Sequence, residues 1–378
     1  MSEQDPPIPE RLRSLRERLD AIDAAIVDAI AERQAVVAAI GDLKQNTGSP
    51  LRHYAREREV IERGMARARS LGISDRVARE ILETLIHHSL GQQEHDNWVQ
   101  SSHGEGRRAL VIGGAGRMGD WMARYLDTVS YQVLIADPSD RPSLFERTAD
   151  WRQSVDTADL VVVAAPLRPS NEILLELAEL RPRGLVFDIG SLKSPMREGL
   201  AALQAAGCRV CSVHPMFGPN EIGLSGRHIL FVDVGHAEAA QEARDLFAHT
   251  AADCVDLSLE EHDEVMAWVL GLSHLVNIAF ASALAESGEA VPLLERISSS
   301  TFNAQLQVAA QVVSENPHLY FEIQHGNAST ADVVRRFRDS LDQLAEAVVG
   351  ADEARFVAAM ERAHRRLSEG RRPGAIGG

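Results

Sequence analysis

A glycine-rich segment directly follows an apolar stretch in the run LVIGGAGRMG. An apolar strand leading into G-x-G-x-x-G, here Gly114, Gly116 and Gly119, and then into a helix is typical of a dinucleotide-binding unit. Gly114 permits the tight turn, Gly116 lets the backbone approach a pyrophosphate, and Gly119 lets the helix pack closely on the strand. The phosphates would meet the positive end of a helix that opens with Arg117 and Met118. The segment therefore predicts an α/β domain of the Rossmann type.

A second apolar run, 133–136, ends at Asp137, eighteen residues after Gly119. An acidic residue at this distance typically accepts a hydrogen bond from the ribose 2′-hydroxyl, which favours NAD over NADP. A glycine-rich turn without a ligand is the alternative. The order of strand, helix, second strand and acid disfavours that alternative, so we expect NAD as the cofactor.

The composition limits the classes of partner. The chain has 378 residues, enough for two or three domains with cores of their own, and its formal net charge is −16. This charge argues against a nucleic acid or an anionic membrane as partner, because either would require an extended basic surface. An anionic small-molecule substrate must therefore be bound by clustered cations.

The three cysteines, Cys208, Cys211 and Cys254, do not form a disulfide framework and indicate a reducing compartment. Cys208 and Cys211 lie in a strand pattern, and we interpret them as packing residues rather than metal ligands.

The N-terminal composition and the apolar runs indicate neither export nor membrane insertion. The N-terminus is polar and acidic with several prolines, unlike a signal peptide. The longest uninterrupted apolar run, 160–167, is too short to cross a bilayer. We therefore expect a cytoplasmic protein that has no membrane partner.

The first hundred residues predict helices. Apolar residues recur at three- and four-residue steps from about residue 10 to 45, which predicts one helix roughly 50 Å long. A helix of this length is too long for the core of a monomeric domain, so we expect partner helices from a second copy, that is, a homodimer. A break at 46–50 separates it from a second helix, 56–70, and a third that reaches about Gln93.

The remaining chain divides into an alternating part and a helical part. Apolar runs that are typical of parallel strands buried on both faces lie at 109–113, 132–136, 160–165, 185–189, 209–213 and 229–234. From about 259 to 368 the patterns are helical again, and we predict that this part also contributes to dimerisation. We predict these boundaries: a helical domain at 1–97, a linker at 98–108, a Rossmann domain at 109–258 and a helical domain at 259–378.

Charged residues in the first helix form a distinctive arrangement. Arg33 and Lys44 are eleven residues apart and lie within about 20° of each other around the helix. Arg16 is rotated by about 100° and would point toward a neighbouring chain. Ser89 and Gln93 are paired at i, i+4 on the third helix. Taken singly, each residue is better explained as an ordinary solvated surface residue than as a site residue.

Their order and spacing resemble the all-helical chorismate mutases over about residues 10–95. The matching pieces are Leu15–Arg18, Ile22-Asp23, Ala31–Arg33, Ile40–Lys44, Arg56-Glu57, and Ser89 with Gln93. The resemblance implies that Arg33 and the partner chain's copy of Arg16 clamp the two carboxylates of chorismate. It also implies that Lys44 and Gln93 donate to the ether oxygen.

The same resemblance implies that Glu57 and Ser89 fix the remaining polar groups and that Arg56 lines the pocket. His53 stands where some members have an acidic residue that contacts the C4 hydroxyl, so that contact is in doubt. The rearrangement of chorismate to prephenate requires no nucleophile and no proton transfer. It requires a fixed diaxial conformer and stabilisation of negative charge on the ether oxygen.

The second half resembles prephenate dehydrogenases in three segments: Asp188-Ile-Gly-Ser-Leu-Lys193, Val213-His-Pro-Met-Phe-Gly-Pro219, and Glu261-His-Asp263 followed by His274. The likeness spans about residues 108–345. With the mutase-like part in front, the whole chain is similar to the bifunctional chorismate mutase–prephenate dehydrogenases of tyrosine biosynthesis. The fold it implies is an all-α mutase domain, a Rossmann domain and an all-α dimerisation domain.

The dehydrogenase resemblance implies roles for several residues. His214, at the end of a predicted strand, would accept the hydroxyl proton of prephenate while hydride leaves C4. Ser191 would share that hydroxyl and orient His214, and His274 would help hold the substrate side chain. Lys193 could be a site residue or a surface lysine at a helix start. We interpret His262 as a capping or packing residue.

One position departs from the family pattern. The arginine that usually grips the ring carboxylate of the substrate is replaced by Asn303. Asparagine lacks the charged, bidentate fork of arginine, so either another cation such as Arg296 substitutes or the substrate differs. The alternative substrate is 4-amino-4-deoxyprephenate, on a route to 4-aminophenylalanine. A third hypothesis is an NAD-binding scaffold whose helical part only mediates dimerisation.

Overall fold

The computed structural model describes residues 8–47, 54–100, 104–221, 223–288 and 291–369. They form two compact units. The first unit comprises the described residues up to Ala165 together with Glu172–Gly190 and Gly199–Asp256. The second unit comprises Pro166–Asn171, Ser191–Glu198 and the described residues from Leu257 onward.

The first unit begins with three helices, α1 (Ile8–Thr47), α2 (Tyr54–Ser70) and α3 (Asp75–Gln100). Helix α3 packs against both α1 and α2. The single long first helix is confirmed. Helix α3, however, continues past the predicted end near Gln93 into the segment that we predicted as a linker from residue 98. The reason is Trp98, which is 4% exposed and packs edge-on against Tyr125, so the last turns of α3 are stabilised by a core contact.

An eight-stranded sheet forms the centre of the first unit. Its strands are β1 (Arg108–Ile112), β2 (Gln132–Ala136), β3 (Glu146–Arg147), β4 (Leu160–Val163), β5 (Leu185–Asp188), β6 (Val210–Pro215), β7 (His228–Asp233) and β8 (Asp253–Ser258). The order in the sheet is β3-β2-β1-β4-β5-β6-β7-β8. Strands β1 to β6 pair in parallel, which confirms the Rossmann-type prediction.

The helices that accompany this sheet are α4 (Arg117–Thr128), α5 (Leu167–Leu180), α6 (Arg197–Ala205) and α7 (Ala237–Leu246). The central strands are buried along their whole length, because helical crossovers between parallel strands cover both faces of the sheet. Val111, Phe187 and Val213 from three of these strands share one apolar core.

The structure corrects the strand prediction at the far edge of the sheet. Strand β7 was predicted as parallel, but it pairs antiparallel with β6, with His214 opposite Leu230. An apolar run alone does not encode strand direction, and the described residues between β6 and β7 form no helix that could carry the chain back across the sheet. Strands β3 and β8 were not predicted, because β3 has only two residues and β8 is mostly polar and partly exposed.

The second unit is helical. After the first turn of α5 and the 191–198 segment, its helices are α8 (Leu259–Met266), α9 (Ser273–Glu286), α10 (Val291–Arg296), α11 (Ser300–Val313), α12 (Pro317–Gly326), α13 (Thr330–Val349) and α14 (Glu353–Glu369). A π-helical turn, Ala267–Leu272, joins α8 to α9. Helix α8 begins with a capping box in which Ser258 and Glu261 bond to each other's backbone N–H.

Among the described residues, one helical run, Leu259–Glu286, is long and apolar enough to cross a membrane by length and composition alone. It escaped the sequence prediction because a few polar residues interrupt it. One such helix is weak evidence for a membrane span. Its helix α9 packs against α11, and Gln305 of α11 donates to the Asn277 side chain of α9 over 2.8 Å.

Candidate functional site

Arg33 connects α1 to α3 in the first unit. Its Nη1 donates to the Leu85 carbonyl over 3.1 Å and to the Ser89 hydroxyl oxygen over 2.7 Å. Ser89 is 6% exposed, and its hydroxyl in turn donates to the Leu85 carbonyl. The structure therefore brings together two residues that are 56 positions apart and that sequence analysis assigned to one site.

Gln93 lies one helical turn beyond Ser89 and is 7% exposed. Its Nε2 donates to the Val37 carbonyl of α1 over 2.7 Å. A Cβ placed on Gly41 would lie 3.3 Å from Gln93 Cγ, so the absence of a side chain at Gly41 gives the amide its room. Arg33, Val37 and Gly41 follow at steps of four and share one face of α1. This face of α1 and the Ser89–Gln93 turn of α3 form a polar cluster of a guanidinium, a hydroxyl and an amide.

Three other predicted mutase residues are exposed or half-buried in the single chain. Arg16 is exposed on α1, as expected of a residue that serves a neighbouring copy. Arg56 is exposed and donates to Glu59 over 2.7 Å, while Glu57 is half-buried. The Lys44 side chain and the whole of His53 lie outside the described residues.

A stripe of large apolar side chains on α1 is exposed. Its members, Leu12, Leu15, Leu19, Ile22, Ile26, Val27, Val36, Ile40 and Leu43, are each between 44% and 68% exposed. An apolar surface of this extent on one helix marks an interaction site.

The glycine turn links β1 to α4. Gly113 has φ +89°, so the left-handed residue of the turn is Gly113 and not Gly114, to which we had assigned the tight turn. Gly114 is required for another reason, since a Cβ there would lie 2.6 Å from the Ile135 side chain of β2. A Cβ at Gly119 would lie 2.1 Å from the Gly113 carbonyl oxygen, so α4 can approach the turn only because residue 119 is glycine. Gly116 is the N-cap of α4.

Asp137 follows the end of β2 and bonds to this turn. Its carboxylate accepts the Ala115 N–H over 3.0 Å and the Ser139 N–H over 2.8 Å. Burial raises the pKa of Asp137, but the hydrogen bonds from Ser139 and Ala115 and the charge of Arg147 outweigh it and keep the pKa below its usual value. The turn has no room for side chains at Gly114 and Gly119, it leads into the N-terminus of α4, and it is bonded to an ionised acid. These features fit a dinucleotide with its pyrophosphate and ribose. The helix N-terminus begins with Arg117, which is exposed, and Met118.

His214 is the fifth residue of β6 and is 5% exposed. Two residues earlier, the Ser212 hydroxyl donates to Asp188, which ends β5 and also accepts the Gly190 N–H over 2.9 Å. Since β1, β2, β5 and β6 run in parallel, their carboxyl ends share one edge of the sheet. The glycine turn, Asp137 and His214 thus lie at the edge where ligands of open α/β sheets bind.

The second unit contains Ser191 and Lys193 on a short segment that is fixed by Asp263. The Asp263 carboxylate accepts the Lys193 N–H over 3.0 Å, the Ser194 N–H over 2.7 Å and a hydrogen bond of 2.7 Å with His262 Nδ1. Burial alone would raise the pKa of Asp263. The hydrogen bonds from His262, Ser194 and Lys193 outweigh burial and lower the pKa to about 2. Ser191 is half-buried.

Lys193 and His262 are both fully buried. Lys193 is therefore not the surface lysine that one of our two interpretations allowed. His262 packs inside α8 against Asp263, whereas the cap of α8 is Ser258, so packing and not capping describes it. Asp263 is a site-region residue that the sequence pattern did not identify, because nothing in the sequence distinguishes it from other acidic residues.

His274 opens α9, and its ring lies 4.3 Å from that of Tyr320. Among the described residues its buried Nδ1 has no hydrogen-bond partner, and burial lowers the pKa of the ring. Asn303, on α11, is exposed, and its Oδ1 accepts from the Ser298 hydroxyl over 2.6 Å. Its NH2 group is thus the end that can donate to a carboxylate. Arg296, the cation that we considered as a substitute, is exposed at the end of α10.

Family models match three successive parts of the chain. They are chorismate mutase type II at residues 15–94, the prephenate dehydrogenase nucleotide-binding domain at 139–234 and the prephenate dehydrogenase dimerization domain at 258–362. A model of the NAD-binding domain of D-isomer specific 2-hydroxyacid dehydrogenases also matches residues 77–183.

Relatives and solved structures give a consistent result. The chain is 25% identical to a T-protein of Enterobacter agglomerans over 352 residues, 93% of this chain and 91% of that protein. It is 28% identical to a 4-amino-4-deoxyprephenate dehydrogenase of Streptomyces pristinaespiralis over 266 residues, 66% of this chain and 88% of that protein. The fold is similar to that of an Aquifex aeolicus prephenate dehydrogenase solved with hydroxyphenyl propionate and NAD+, with a TM-score of 0.57, 20% identity, and coverage of 70% of this chain and 98% of that one.

Proposed function

We propose a role for each site residue of this chain, which belongs to the bifunctional chorismate mutase–prephenate dehydrogenases. It is an isomerase and an NAD-dependent oxidoreductase of tyrosine biosynthesis. It rearranges chorismate to prephenate and oxidatively decarboxylates prephenate to 4-hydroxyphenylpyruvate. The observation that supports this assignment most strongly is that one chain contains both the Arg33–Ser89–Gln93 cluster and a glycine turn on the same sheet edge as His214.

In the mutase step, Arg33 binds one carboxylate of chorismate. Its guanidinium is held against α3 by Ser89 and the Leu85 carbonyl, so it reaches the substrate in a fixed orientation. Gln93 donates to the ether oxygen, where negative charge develops as the C–O bond breaks. Ser89 orients the bound diacid. Lys44, whose side chain lies outside the described residues, is the second donor to the ether oxygen, and Glu57 and Arg56 complete the pocket.

We infer that this mutase site is shared between two copies of the chain. The exposed apolar stripe of α1 requires a partner helix, and Arg16 lies on the same helix, rotated away from Arg33. The partner's copy of Arg16 then binds the second carboxylate. The match of residues 258–362 to a dimerization domain supports a homodimer independently.

In the dehydrogenase step, His214 accepts the proton of the C4 hydroxyl of prephenate. Imidazole suits this task near neutral pH, and general base catalysis of this kind typically contributes about 10²–10⁴-fold. Carbon dioxide leaves from the quaternary ring carbon, and its bonding electrons complete the aromatic ring. The Ser212–Asp188 hydrogen bond joins β6 to β5 two residues before His214 and thereby fixes the strand that presents the imidazole.

The cofactor is NAD. Bound NAD+ would supply the acceptor for the hydride that leaves C4 of prephenate. Gly114, Gly116 and Gly119 give its pyrophosphate access to the N-terminus of α4 at Arg117 and Met118. Asp137, ionised and already fixed to the turn, accepts the hydrogen bond of the ribose.

We assign the remaining dehydrogenase residues to the substrate. Ser191 binds the C4 hydroxyl, and Lys193 and Asp263 fix the segment that contains it. His274, neutral because its pKa is lowered, holds the side chain of prephenate. The Asn303 NH2 group donates a hydrogen bond to the ring carboxylate. This contact is weaker than the charged, bidentate contact of an arginine.

A second substrate merits a direct test. Asn303 and the similarity to a 4-amino-4-deoxyprephenate dehydrogenase both favour considering the 4-amino analogue. We propose prephenate, because His214 is the base that an alcohol requires. Purified protein is given each substrate with NAD+, and NADH is followed at 340 nm. A kcat/KM at least tenfold higher for prephenate supports the proposal, and a preference for the amino analogue contradicts it.

We also infer a cytoplasmic location. Cys208, Cys211 and Cys254 are free thiols, as expected in a reducing compartment, and the T-protein relatives are bacterial. Fractionation of cells that express the full chain checks this inference.

A further inference from the structure

A buried carboxylate on α3 binds the backbone of the Rossmann part of the first unit. Glu94 is 1% exposed. Its Oε2 accepts the N–H groups of Leu224 and Ser225, each over 2.8 Å, and its Oε1 accepts the N–H of Ala251. One carboxylate thus joins α3 to two separate loops of the sheet domain. Burying a carboxyl group is costly unless hydrogen bonds compensate it, and here three backbone N–H groups do so.

The backbones meet directly one turn before Glu94. Gly91 and Gly223 are so close that a Cβ on Gly223 would lie 2.4 Å from Gly91 Cα. The two backbone segments could not approach each other this closely with a larger residue at position 223. This contact brings the Leu224–Ser225 N–H groups within reach of the Glu94 carboxylate.

One turn after Glu94, Trp98 continues the same face of α3 into a row of aromatic rings. Trp98 packs edge-on against Tyr125 at 5.1 Å, Tyr125 stacks on Trp121 at 5.6 Å, and Trp121 packs against Phe217 at 4.8 Å. Trp121 Nε1 also donates to the Glu221 carbonyl over 2.9 Å. The row therefore leads from α3 to the segment that follows His214.

The segment held in this way is the connection from β6 to β7, described at residues 216–221 and 223–227, which we call the 216–227 connection. At its start, the Met216 N–H donates to the His228 carbonyl over 2.9 Å. At its end, the Arg227 N–H donates to the Leu224 carbonyl over 2.9 Å. The two strands that it joins place His214 opposite Leu230. A shift of the Leu224–Arg227 turn would therefore be transmitted to the strand pair that presents His214.

The same turns of α3 contain the mutase residues. Ser89 accepts from Arg33, and Gln93 is the residue directly before Glu94. Side chains of one helix, at positions 89, 93, 94 and 98, thus serve the mutase cluster and the 216–227 connection at once.

We propose that Glu94 is a positioning residue for the dehydrogenase: it holds the 216–227 connection, and with it His214, in the arrangement that catalysis requires. The mutase helix α3 is by this proposal a structural part of the dehydrogenase site. The proposal rests on the function proposed above.

Glu94→Gln tests it with little change in shape. Glutamine has one acceptor oxygen where glutamate has two. Its NH2 group would therefore face a backbone N–H, two donors would oppose each other, and at least one hydrogen bond would be lost. We expect kcat for prephenate oxidation to fall at least tenfold, while KM for NAD+ changes less than twofold, because the glycine turn is untouched. Glu83→Gln, a half-exposed carboxylate on α3 paired with Arg79, is the matched control and should leave both values unchanged.

Hydrogen–deuterium exchange provides a readout that does not depend on activity. In Glu94→Gln the amides of Leu224, Ser225 and Ala251 should exchange at least tenfold faster than in the wild type, whereas those of β1 should not change. Gly223→Ala, which pushes the same loop away from α3, should reproduce both effects.

Two outcomes separate this proposal from the proposed function. If the wild type oxidises prephenate and Glu94→Gln matches it within twofold in kcat, the positioning role is overturned and the function stands. If the wild type does not oxidise prephenate, the function fails, and unchanged exchange of the Leu224 and Ser225 amides in Glu94→Gln would overturn the positioning role as well.

Discussion

The Asp137 carboxylate accepts the backbone N–H of Ala115, with 3.0 Å between oxygen and nitrogen. Ala115 stands between Gly114 and Gly116, so the acid at the end of β2 and the glycine turn that we propose for the pyrophosphate are fixed to each other. The hydrogen bonds from Ser139 and Ala115 outweigh the effect of burial and keep the pKa of Asp137 below its usual value. The carboxylate is therefore ionised at neutral pH and ready to accept the hydroxyl of a ribose.

Asp137→Ala should weaken NAD+ binding. A hydrogen bond to a charged group contributes about 1.5–3 kcal/mol, so we expect KM for NAD+ to rise roughly 10- to 100-fold. The preference for NAD+ over NADP+ should shrink as well, because the anionic side chain that repels a 2′-phosphate is gone. Initial rates with prephenate and each cofactor measure this. Asp140→Ala, an exposed neighbour, is the control. A KM for NAD+ that stays within twofold would contradict the assignment.

Much of the fold followed from local patterns. Strands β1, β2 and β4 each contain four consecutive apolar residues, and helix α1 has a regular apolar stripe. Both signals lie within a single element. The direction of β7 and the length of α3 do not, since they depend on the turn after His214 and on the contact of Trp98 with Tyr125. Contacts between residues far apart in the chain were not predictable from periodicity.

Arg33→Ala should abolish most mutase activity. The guanidinium is fixed by Ser89 and Leu85, and one preorganised donor of this kind is typically worth about 3–4 kcal/mol. We expect kcat/KM for chorismate to fall roughly 10²–10³-fold. Oxidation of added prephenate should be unchanged, which shows that the protein is folded. Arg76→Ala, an exposed residue on α3 that pairs with Glu80, should behave like the wild type. Full mutase activity in Arg33→Ala would refute the role of this cluster.

His274 should bind prephenate as a neutral ring. Burial lowers its pKa, so the protonated form becomes significant only below the usual value of 6.5. We expect His274→Gln, which keeps a hydrogen-bonding group, to raise KM for prephenate by about tenfold or less, and His274→Leu by more. The dependence of kcat/KM on pH above 6.5 should be the same in His274→Gln and the wild type. An ionisation above pH 6.5 that vanishes in His274→Gln would contradict this prediction.

Asp263 should stabilise the second unit in a way that depends on pH. Its pKa is lowered from 3.8 to about 2, so its contribution is present above pH 4 and is lost as the pH falls through 3.8 toward 2. A shift of this size corresponds to about 2 kcal/mol. Asp263→Asn should therefore lower the melting temperature by about 4–8 °C at pH 6, with a difference that shrinks toward pH 2.

Thermal unfolding measured from pH 2 to 7 checks the Asp263 prediction. Asp342→Asn, an exposed carboxylate on α13, serves as the control and should match the wild type throughout. A difference between Asp263→Asn and the wild type that stays constant over this range would show that the carboxylate acts by shape alone.

The candidate sites were predictable where a residue type or spacing identifies the chemistry. The glycines, Asp137 and His214 stand out in the sequence, as does the spacing of Arg33, Ser89 and Gln93. Asp263 and Glu94 do not, because acidic residues are common and only the fold shows which carboxylate accepts several backbone N–H groups. Gly113 was missed for a related reason: four adjacent small residues, 113–116, precede the helix, and the sequence does not reveal which one adopts a positive φ.

The most direct measurement supplies the purified chain with chorismate and NAD+ only and follows NADH at 340 nm together with the organic products. We predict that NADH and 4-hydroxyphenylpyruvate form in equal amounts. We also predict that His214→Asn converts chorismate to prephenate at the wild-type rate and forms NADH at least 10²-fold more slowly. Failure of the wild type to form NADH from either chorismate or prephenate, or an undiminished rate of NADH formation in His214→Asn, would contradict the account.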